Sequence, residues 1–308
     1  MNSSTLAEHE RPCPVCHCTT HVHFADEHID LHQLSGLTYA SRKTPEFMCL
    51  RLVQCTTCDL VYAPTPPAQD YLRDAYAQAD FDSGTEALAA AKSYANALKP
   101  HVAKLSDRHA AIDVGAGSGP LLPWLQEQGF SPVVGIEPSR AAIDAAPPDV
   151  RPLLREGMFS PDMLEGIQPS LICSFMTLEH IADPRSFAEA AHDLLEAGGG
   201  FAVVVHNWRA PLNRLLGLRS PIIDIEHLQL FSPQSLLSLM EQSGFQAVEV
   251  QAIRNAYPLR YWLRLTPLPH TLKRLILRVL ETMRLADRTL ALNVGNMLAF
   301  GIKPRNQL

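Results

Sequence analysis

The stretch Asp113-Val-Gly-Ala-Gly-Ser-Gly119 decides the fold, and it closes a short apolar strand predicted over 110–114. Three alternating glycines let a turn approach a bound ligand closely, because no Cβ atom stands in the way. A dinucleotide-binding turn would need G-x-G-x-x-G, but position 120 is Pro120. An acidic residue before the glycines suits a cationic, amine-bearing ligand better than a pyrophosphate. The stretch therefore predicts a Rossmann-like strand and turn around such a ligand.

The rest of the chain alternates short apolar segments with helical ones. Helices are predicted at about 84–106, 120–128, from 139, 184–196 and 232–243, with Ser232 as an N-cap. Strands are predicted at 110–114, 132–136, 150–154, 170–175, 200–205, 247–253 and 297–302. This alternation predicts an α/β fold, a seven-stranded, mostly parallel sheet with helices on both faces.

The glycine stretch resembles motif I of class I S-adenosylmethionine (SAM)-dependent methyltransferases, and the resemblance extends over roughly 84–304. Glu137 ends the second strand, twenty residues after Gly117, where an acid can accept both ribose hydroxyls. The sequence Leu178-Glu-His-Ile-Ala-Asp-Pro184 follows the fourth strand, as in small-molecule enzymes of this class. The resemblance implies SAM as cofactor, with these candidate binding residues: Asp113, Gly115, Gly117, Gly119, Glu137, Met158, Phe159, Met176 and Glu179.

Two Cys-x-x-Cys pairs, Cys13–Cys16 and Cys55–Cys58, precede this region. Four thiolates at such spacing complete a closed tetrahedral Zn²⁺ site, which is structural because no coordination position stays open. Cys18 or His17 could substitute as a ligand. We therefore predict a small zinc-binding module over 1–70, followed by a methyltransferase domain over 71–308.

A zinc module ahead of this fold resembles deoxysugar C-methyltransferases and enzymes of polysaccharide or natural-product gene clusters. Those sugar enzymes carry Tyr-x-Glu-His after strand five, and this chain has Asp224-Ile-Glu226-His227. His227 is the first candidate base, with Glu226 orienting it, because histidine is best poised for proton transfer near pH 7. His180 is a second candidate. The alternatives are a helix-entry hydrogen bond for Glu226 and His227, and packing against the cofactor for His180.

Charge is distributed unevenly along the chain. Residues 1–70 carry four Lys/Arg and eight Asp/Glu, which argues against a nucleic-acid partner for the zinc module. Residues 254–308 carry ten Lys/Arg and two acids, and a basic helical insertion is predicted at about 258–292. Over 260–288 it contacts either an anionic membrane or a lipid-linked substrate, or it simply covers the acceptor pocket with a solvated basic face.

Together these patterns predict methyl transfer from SAM to an oxygen or carbon of a small-molecule acceptor, sugar-like or a secondary metabolite. Two alternatives stay open: an RNA methyltransferase whose zinc module grips RNA, and a non-catalytic adaptor with this fold. The chain shows neither a signal-peptide pattern nor an apolar run long enough to span a membrane, so a cytoplasmic location is expected.

Overall fold

The computed structural model describes residues 10–30, 32, 38–39, 47–80, 84–266 and 268–305. Parts of the predicted zinc module, including 1–9 and 33–37, therefore lie outside the described residues. The strands are β1 (His21–Ala25), β2 (Leu52–Cys55), β3 (Val61–Tyr62), β4 (Ala110–Val114), β5 (Val133–Glu137), β6 (Leu154–Glu156), β7 (Pro169–Phe175), β8 (Gly200–His206), β9 (Gln229–Leu230), β10 (Gln246–Ala252), β11 (Asn255–Pro258), β12 (Thr289–Leu292) and β13 (Asn296–Ile302). The helices are α1 (Gln69–Ala77), α2 (Gly84–Val102), α3 (Leu122–Glu127), α4 (Arg140–Asp144), α5 (Pro184–Leu194), α6 (Pro211–Leu216), α7 (Pro233–Gln242), α8 (Leu259–Leu265) and α9 (His270–Thr282).

Seven strands form the central sheet in the order β10-β13-β8-β7-β4-β5-β6. The pairs among β8, β7, β4, β5 and β6 are parallel, whereas β13 runs antiparallel to both of its neighbours. The predicted seven-stranded α/β architecture is confirmed. Because β4 and β7 are covered on both faces, their residues are buried almost without interruption instead of alternating between buried and exposed.

Helices cover both faces of this sheet. Ile172 of β7 packs in one core with Phe187 of α5 and Leu236 of α7. Its neighbour Leu171 faces the other core, which contains Leu98 of α2 and α3 side chains. Successive strand side chains point to opposite faces, so one strand serves both cores.

One local sequence signal, a helix N-cap, agrees with the structure, whereas one predicted strand does not. Ser232 caps α7 in a capping box, where its side chain accepts the Ser235 N–H and the Ser235 hydroxyl accepts the Ser232 N–H. The strand predicted at 150–154 is wrong: a 3₁₀ turn occupies 151–153, and β6 begins only at Leu154. Pro152 explains the difference, because it has no N–H for a sheet ladder.

The N-terminal strands are connected to the rest of the protein through β9. β1, β2 and β3 form an antiparallel sheet, and β9 from the chain beyond β8 adds to its edge by pairing with β3. Arg11 strengthens this junction, since its guanidinium donates to the carbonyls of Ala63 and Ala182 and to the Gln229 side chain. The N-terminal region is thus positioned against the carboxyl end of the central sheet.

Between β10 and β13 the chain forms an inserted unit of β11, α8, α9 and β12. β11 pairs with β12, and Tyr257, Tyr261 and Trp262 pack ring against ring beneath them. The Ala256 N–H donates to the Ser93 hydroxyl of α2, 3.1 Å away. These contacts fix one side of the insertion to the domain. None of the described helices has the length and apolar character needed to cross a membrane.

Candidate active site and candidate metal centre

The turn after β4 depends on glycine for its backbone geometry. Gly115 and Gly119 have φ values of +76° and +73°, in the left-handed region that favours glycine. A Cβ at Gly115 would lie 2.1 Å from the Thr177 hydroxyl, and one at Gly119 would lie 2.5 Å from a Val150 methyl. The turn therefore approaches both β7 and the segment before β6 more closely than any other residue type permits.

Glu137 holds this turn from the neighbouring strand. Its carboxylate accepts the Gly117 N–H and the Ser139 N–H, each at 2.8 Å. Burial raises the pKa of Glu137, and these two backbone hydrogen bonds oppose the rise. Glu137, predicted from the sequence as a ribose-binding acid, thus contacts the backbone of the glycine turn directly.

Asp113 is a buried carboxyl group whose Oδ1 has no hydrogen-bond partner among the described residues. Burial, together with the charge of Glu137, raises the pKa of Asp113 to about 7. A buried, unpartnered carboxylate is costly unless a cation is supplied. This environment suits the amine-bearing, cationic ligand expected from the sequence.

The turn opens onto a cavity of about 510 Å³ at the carboxyl ends of the strands. A volume of this size is typical of small-molecule sites. Eight of the predicted site residues line it: Gly115, Gly117, Glu137, Met158, Phe159, Met176, His180 and Glu226. Met176 has φ +56°, an uncommon conformation for a side chain of its size, directly after β7 ends.

A smaller cavity of about 100 Å³ lies on the other side of the turn. Asp113, Gly115, Gly117 and Met176 line it together with Tyr94 and small side chains of α2. Gly119 lines neither cavity and serves the packing of the turn. Gly115, Gly117 and Met176 line both cavities, so the two cavities lie next to each other across the glycine turn and the residue after β7.

His180 lies in the larger cavity with a fixed ring orientation. Its Nδ1 is 3.1 Å from the carbonyl oxygen of Glu226 and 3.0 Å from the Tyr76 hydroxyl. Because a carbonyl only accepts, Nδ1 carries the proton and Nε2 keeps the free lone pair. Burial lowers the pKa of His180, so the ring is neutral at pH 7.

His227 lies behind His180, with ring centroids 5.0 Å apart. It is buried, its Nδ1–H donates to the Ile222 carbonyl at 2.8 Å, and it is absent from the lining of the described cavities. Burial lowers its pKa as well. His227, the first candidate base from the sequence, therefore lies behind the cavity wall, whereas Glu226 and His180 line the cavity.

Glu179 is placed differently from the sequence expectation of a cofactor contact. It is fully buried, away from both cavities, and its carboxylate accepts the backbone N–H of His206 at 2.7 Å. The same oxygen lies 3.1 Å from His206 Nδ1. Burial acts to raise the pKa of Glu179, but the hydrogen bond from His206 and the nearby histidines together lower it. Its role in the structure is to hold the end of β8.

Sequence reasoning missed the aromatic wall that the N-terminal half gives to the cavity. Tyr39 and Tyr76 line it, with ring centroids 5.4 Å apart. Tyr76 also contacts the ring of His180, at 5.8 Å. Nothing in the spacing of Tyr76 within α1 marks it, since only the packing of α1 brings it to a residue 104 positions later.

The four predicted zinc ligands converge in space. Cys13 Sγ lies 3.5 Å from Cys58 Sγ, Cys16 Sγ lies 3.5 Å from Cys55 Sγ, and all four sulfurs lie within 4.8 Å of one another. A tetrahedron of 2.3 Å Zn–S bonds needs sulfurs about 3.8 Å apart. Hydrogen bonding from Cys58 lowers the pKa of Cys13, whereas the same contact and burial raise the pKa of Cys58, so the proton of this pair stays on Cys58. The cluster has the sulfur spacing of a Cys₄ zinc centre.

The two cysteine turns have matching backbone geometry. The N–H groups of His17 and Asp59 donate to the carbonyls of Cys13 and Cys55, and both residues have positive φ. The alternative ligand Cys18 lies outside the four-sulfur group and contacts the hydroxyls of two threonines. The paired turns therefore favour the four cysteines over Cys18 and His17.

Comparison with known proteins places this arrangement in a family. A family model described as a methyltransferase domain matches residues 87–250, more than half of the chain, including the glycine turn and Glu226. No curated protein matches the chain significantly.

Many solved structures match the fold. A SAM-dependent methyltransferase from Archaeoglobus fulgidus is 14% identical, with 77% of this chain and 100% of that chain covered and a TM-score of 0.47. A SAM-dependent methyltransferase from Thermotoga maritima, described as a possible histamine N-methyltransferase, is 18% identical to this chain. The match covers 70% of this chain and 91% of that chain, with a TM-score of 0.45. The plantazolicin methyltransferase in complex with SAH is 16% identical to this chain. The match covers 77% of this chain and 90% of that chain, with a TM-score of 0.47. The chain belongs to the methyltransferase domain family and is a methyltransferase, and its seven-stranded α/β sheet is consistent with a class I methyltransferase fold.

Proposed function

We propose that the protein transfers the methyl group of SAM to an oxygen or carbon of a small-molecule acceptor, sugar-like or a secondary metabolite, with His180 as the base. The observation that carries the proposal is the position of His180 on the wall of the 510 Å³ cavity, with its Nδ1 held by the Glu226 carbonyl. An oxygen or carbon acceptor loses a proton as it attacks, so the site needs a base that is unprotonated near pH 7.

Two carboxylates support SAM binding at the glycine turn. Asp113, with its unpartnered oxygen beside the smaller cavity, would face the cationic methionine portion. Glu137 lines the larger cavity and would accept the ribose hydroxyls, while Met158 and Phe159 would flank the adenine. When bound, SAM supplies an electrophilic methyl group on a sulfonium. The role of the protein is then to bind and orient the two reacting groups and to exclude water around them.

The aromatic and acidic residues around His180 support acceptor binding on the same wall. Tyr39 and Tyr76 offer ring faces and a hydroxyl, and the Glu226 carboxylate lies 3.8 Å from His180 Nδ1. Such a mixture suits a hydroxylated ring, whose faces are apolar and whose edges carry hydroxyls. The Glu226 carbonyl keeps the proton on Nδ1, so that Nε2 accepts the acceptor's proton.

The proposal is tested by incubating the protein with methyl-labelled SAM and a panel of nucleotide sugars and hydroxylated metabolites, with total RNA as a separate arm. We expect label in a small-molecule product. Label in RNA instead would refute the small-molecule assignment in favour of the nucleic-acid alternative. Failure of calorimetry to detect SAM binding would favour the adaptor alternative.

The identity of the base is tested with two matched variants, His180→Gln and His227→Gln. We expect His180→Gln to lower kcat by about 10²-fold or more, the usual contribution of a general base. His227→Gln, one layer behind, is expected to have the smaller effect. A normal kcat in His180→Gln with a large loss in His227→Gln would reassign the base to His227.

We further propose that the four-cysteine cluster holds one structural Zn²⁺. The support is the mutual spacing of the sulfurs and the matched turns that present them. Such a site has no open position for a substrate, so its contribution is to hold β1, β2 and β3 against β9.

A further inference from the structure

One face of α9 is apolar and open to solvent. Leu272, Leu275, Val279 and Met283 are spaced three, four and four residues apart, which places them on a single side of the helix. Their exposed fractions are 41%, 59%, 51% and 61%, and α9 has no buried residue. We call this set the α9 face.

This exposure is concentrated rather than scattered. Fourteen large apolar side chains stand out as exposed over the described residues, and seven of them lie between 265 and 292. Single exposed apolar residues are ordinary on protein surfaces, but a cluster of them marks an interaction surface. Three more lie on or directly after α6: Leu212, Leu215 and Leu218.

Basic side chains occupy other exposed sides of the same helix and the segment that follows it. Residues 254–292 contain eight Lys/Arg and two Asp/Glu, although the whole chain has a formal net charge of −6. Arg274, Arg278, Arg284 and Arg288 are exposed, and none has an ion-pair partner within the described part of the chain. In contrast, two other arginines of the insertion are paired, Arg260 with Asp287 of the insertion itself and Arg264 with Glu86 of α2.

The insertion is not a lid over the reaction site. No described residue of 254–292 lines either cavity. Its other side is already occupied by the aromatic cluster of Tyr257, Tyr261 and Trp262 and by α2. Covering the active site therefore does not account for the α9 face.

We propose that the α9 face is an interfacial membrane-binding surface, which docks on the headgroup region of a bilayer containing anionic lipid. A helix with an exposed apolar stripe and unpaired arginines on its remaining exposed surface is complementary to such a bilayer, because the bilayer offers an apolar boundary beneath negatively charged headgroups. A second copy of the chain would instead bring the same arginines together. The proposal goes beyond the methyl-transfer proposal and does not depend on the acceptor.

The test is co-sedimentation of the full-length protein with vesicles of phosphatidylcholine and phosphatidylglycerol, compared with vesicles of phosphatidylcholine alone. We expect binding to the anionic vesicles only. Raising the salt concentration from about 0.01 M to about 0.15 M, which shortens the Debye length from about 30 Å to about 8 Å, should weaken it. Absence of binding, or equal binding to neutral vesicles, would overturn the proposal.

A matched pair of substitutions separates the α9 face from general surface effects. Leu275→Glu and Leu88→Glu place the same charge at positions with 59% and 60% exposure. We expect Leu275→Glu to lower vesicle binding about ten-fold or more, Arg274→Glu with Arg278→Glu to do likewise, and Leu88→Glu to leave it unchanged. SAM affinity and thermal unfolding report whether each variant is folded.

Two other outcomes would also overturn the proposal. Equal losses in Leu275→Glu and Leu88→Glu would show that added negative charge, wherever placed, is responsible. A concentration-dependent dimer in sedimentation velocity that Leu275→Glu abolishes, without vesicle binding by the wild type, would make the α9 face a self-association surface instead.

Discussion

Replacing Asp113 by asparagine should stabilise the free protein and weaken SAM binding at the same time. The Asp113 carboxyl is buried beside the glycine turn, and its Oδ1 has no partner among the described residues. Asparagine has nearly the same shape but removes the charge. Stability and affinity are therefore expected to change in opposite directions, which a merely damaging substitution would not produce.

The magnitude follows from the pKa of Asp113, which burial raises from its usual 3.8 to about 7. At 1.36 kcal/mol per pH unit, ionisation of Asp113 costs the folded state about 4 kcal/mol at pH values above 7. Because the folded pKa lies above the unfolded one, the cost develops as pH rises through the interval between them and is constant above it. The buried amide of asparagine brings its own cost of about 1–3 kcal/mol.

The pH dependence of stability separates these two contributions, because the cost of burying the asparagine amide does not change with pH. Between about pH 5 and about pH 8 the wild type should lose about 3 kcal/mol of unfolding free energy relative to Asp113→Asn. Denaturant unfolding, followed by fluorescence of the three tryptophans, measures both proteins at each pH. Asp149→Asn, a neutralised exposed aspartate, is the control and should track the wild type.

SAM affinity completes the experiment. Calorimetry at about pH 8 should show at least about ten-fold weaker SAM binding to Asp113→Asn, or about 1.4 kcal/mol, since a cation beside Asp113 offsets its burial. Parallel pH profiles of stability for wild type and variant would refute the buried-carboxyl reasoning. Unchanged SAM affinity would refute the assignment of Asp113 to the cofactor.

Three further substitutions test other parts of the structure. Cys13→Ser with Cys16→Ser should abolish bound zinc in elemental analysis, whereas Cys18→Ser should retain it; full zinc content in the double variant would contradict the four-cysteine site. Gly115→Ala should cost about 1–3 kcal/mol of stability and weaken SAM binding through strain and its clash with Thr177, whereas Gly129→Ala, also at positive φ but with open space, should keep SAM affinity. Ser232→Ala should cost about 1 kcal/mol in denaturant unfolding, and no loss would argue against the capping box.

The central sheet was predictable because its signals are local. Strand β4, the glycine turn and the N-cap of α7 depend on residues within a few positions of one another, and the structure has them where the sequence indicates. The third strand was misplaced because Pro152 interrupts an apolar run whose hydrophobicity alone suggested pairing. Position along the chain also indicated Glu137, since a turn, a helix and a parallel strand of ordinary length return the chain from Gly117 to Glu137.

The composition of the acceptor wall was not predictable, because it depends on packing between distant segments. Glu226, His227 and His180 were identified from short motifs, but the motifs did not indicate which of them line the cavity. In the structure His227 lies behind His180. Tyr39 and Tyr76 carry no motif. They join the site only because α1 and its preceding segment pack on the end of the central sheet.

The glycine turn, its acidic neighbours and the paired cysteines were determined by the sequence alone, because each requires particular residue types at fixed short spacing. The tertiary structure decided which histidine reaches the cavity, where Glu179 points and which side of the basic helix stays uncovered. The physical reason is that these depend on burial and on contacts between segments more than a hundred residues apart, such as Tyr76 with His180. Spacing along a chain encodes a turn, whereas only the packed fold encodes which side chain faces solvent, cofactor or core.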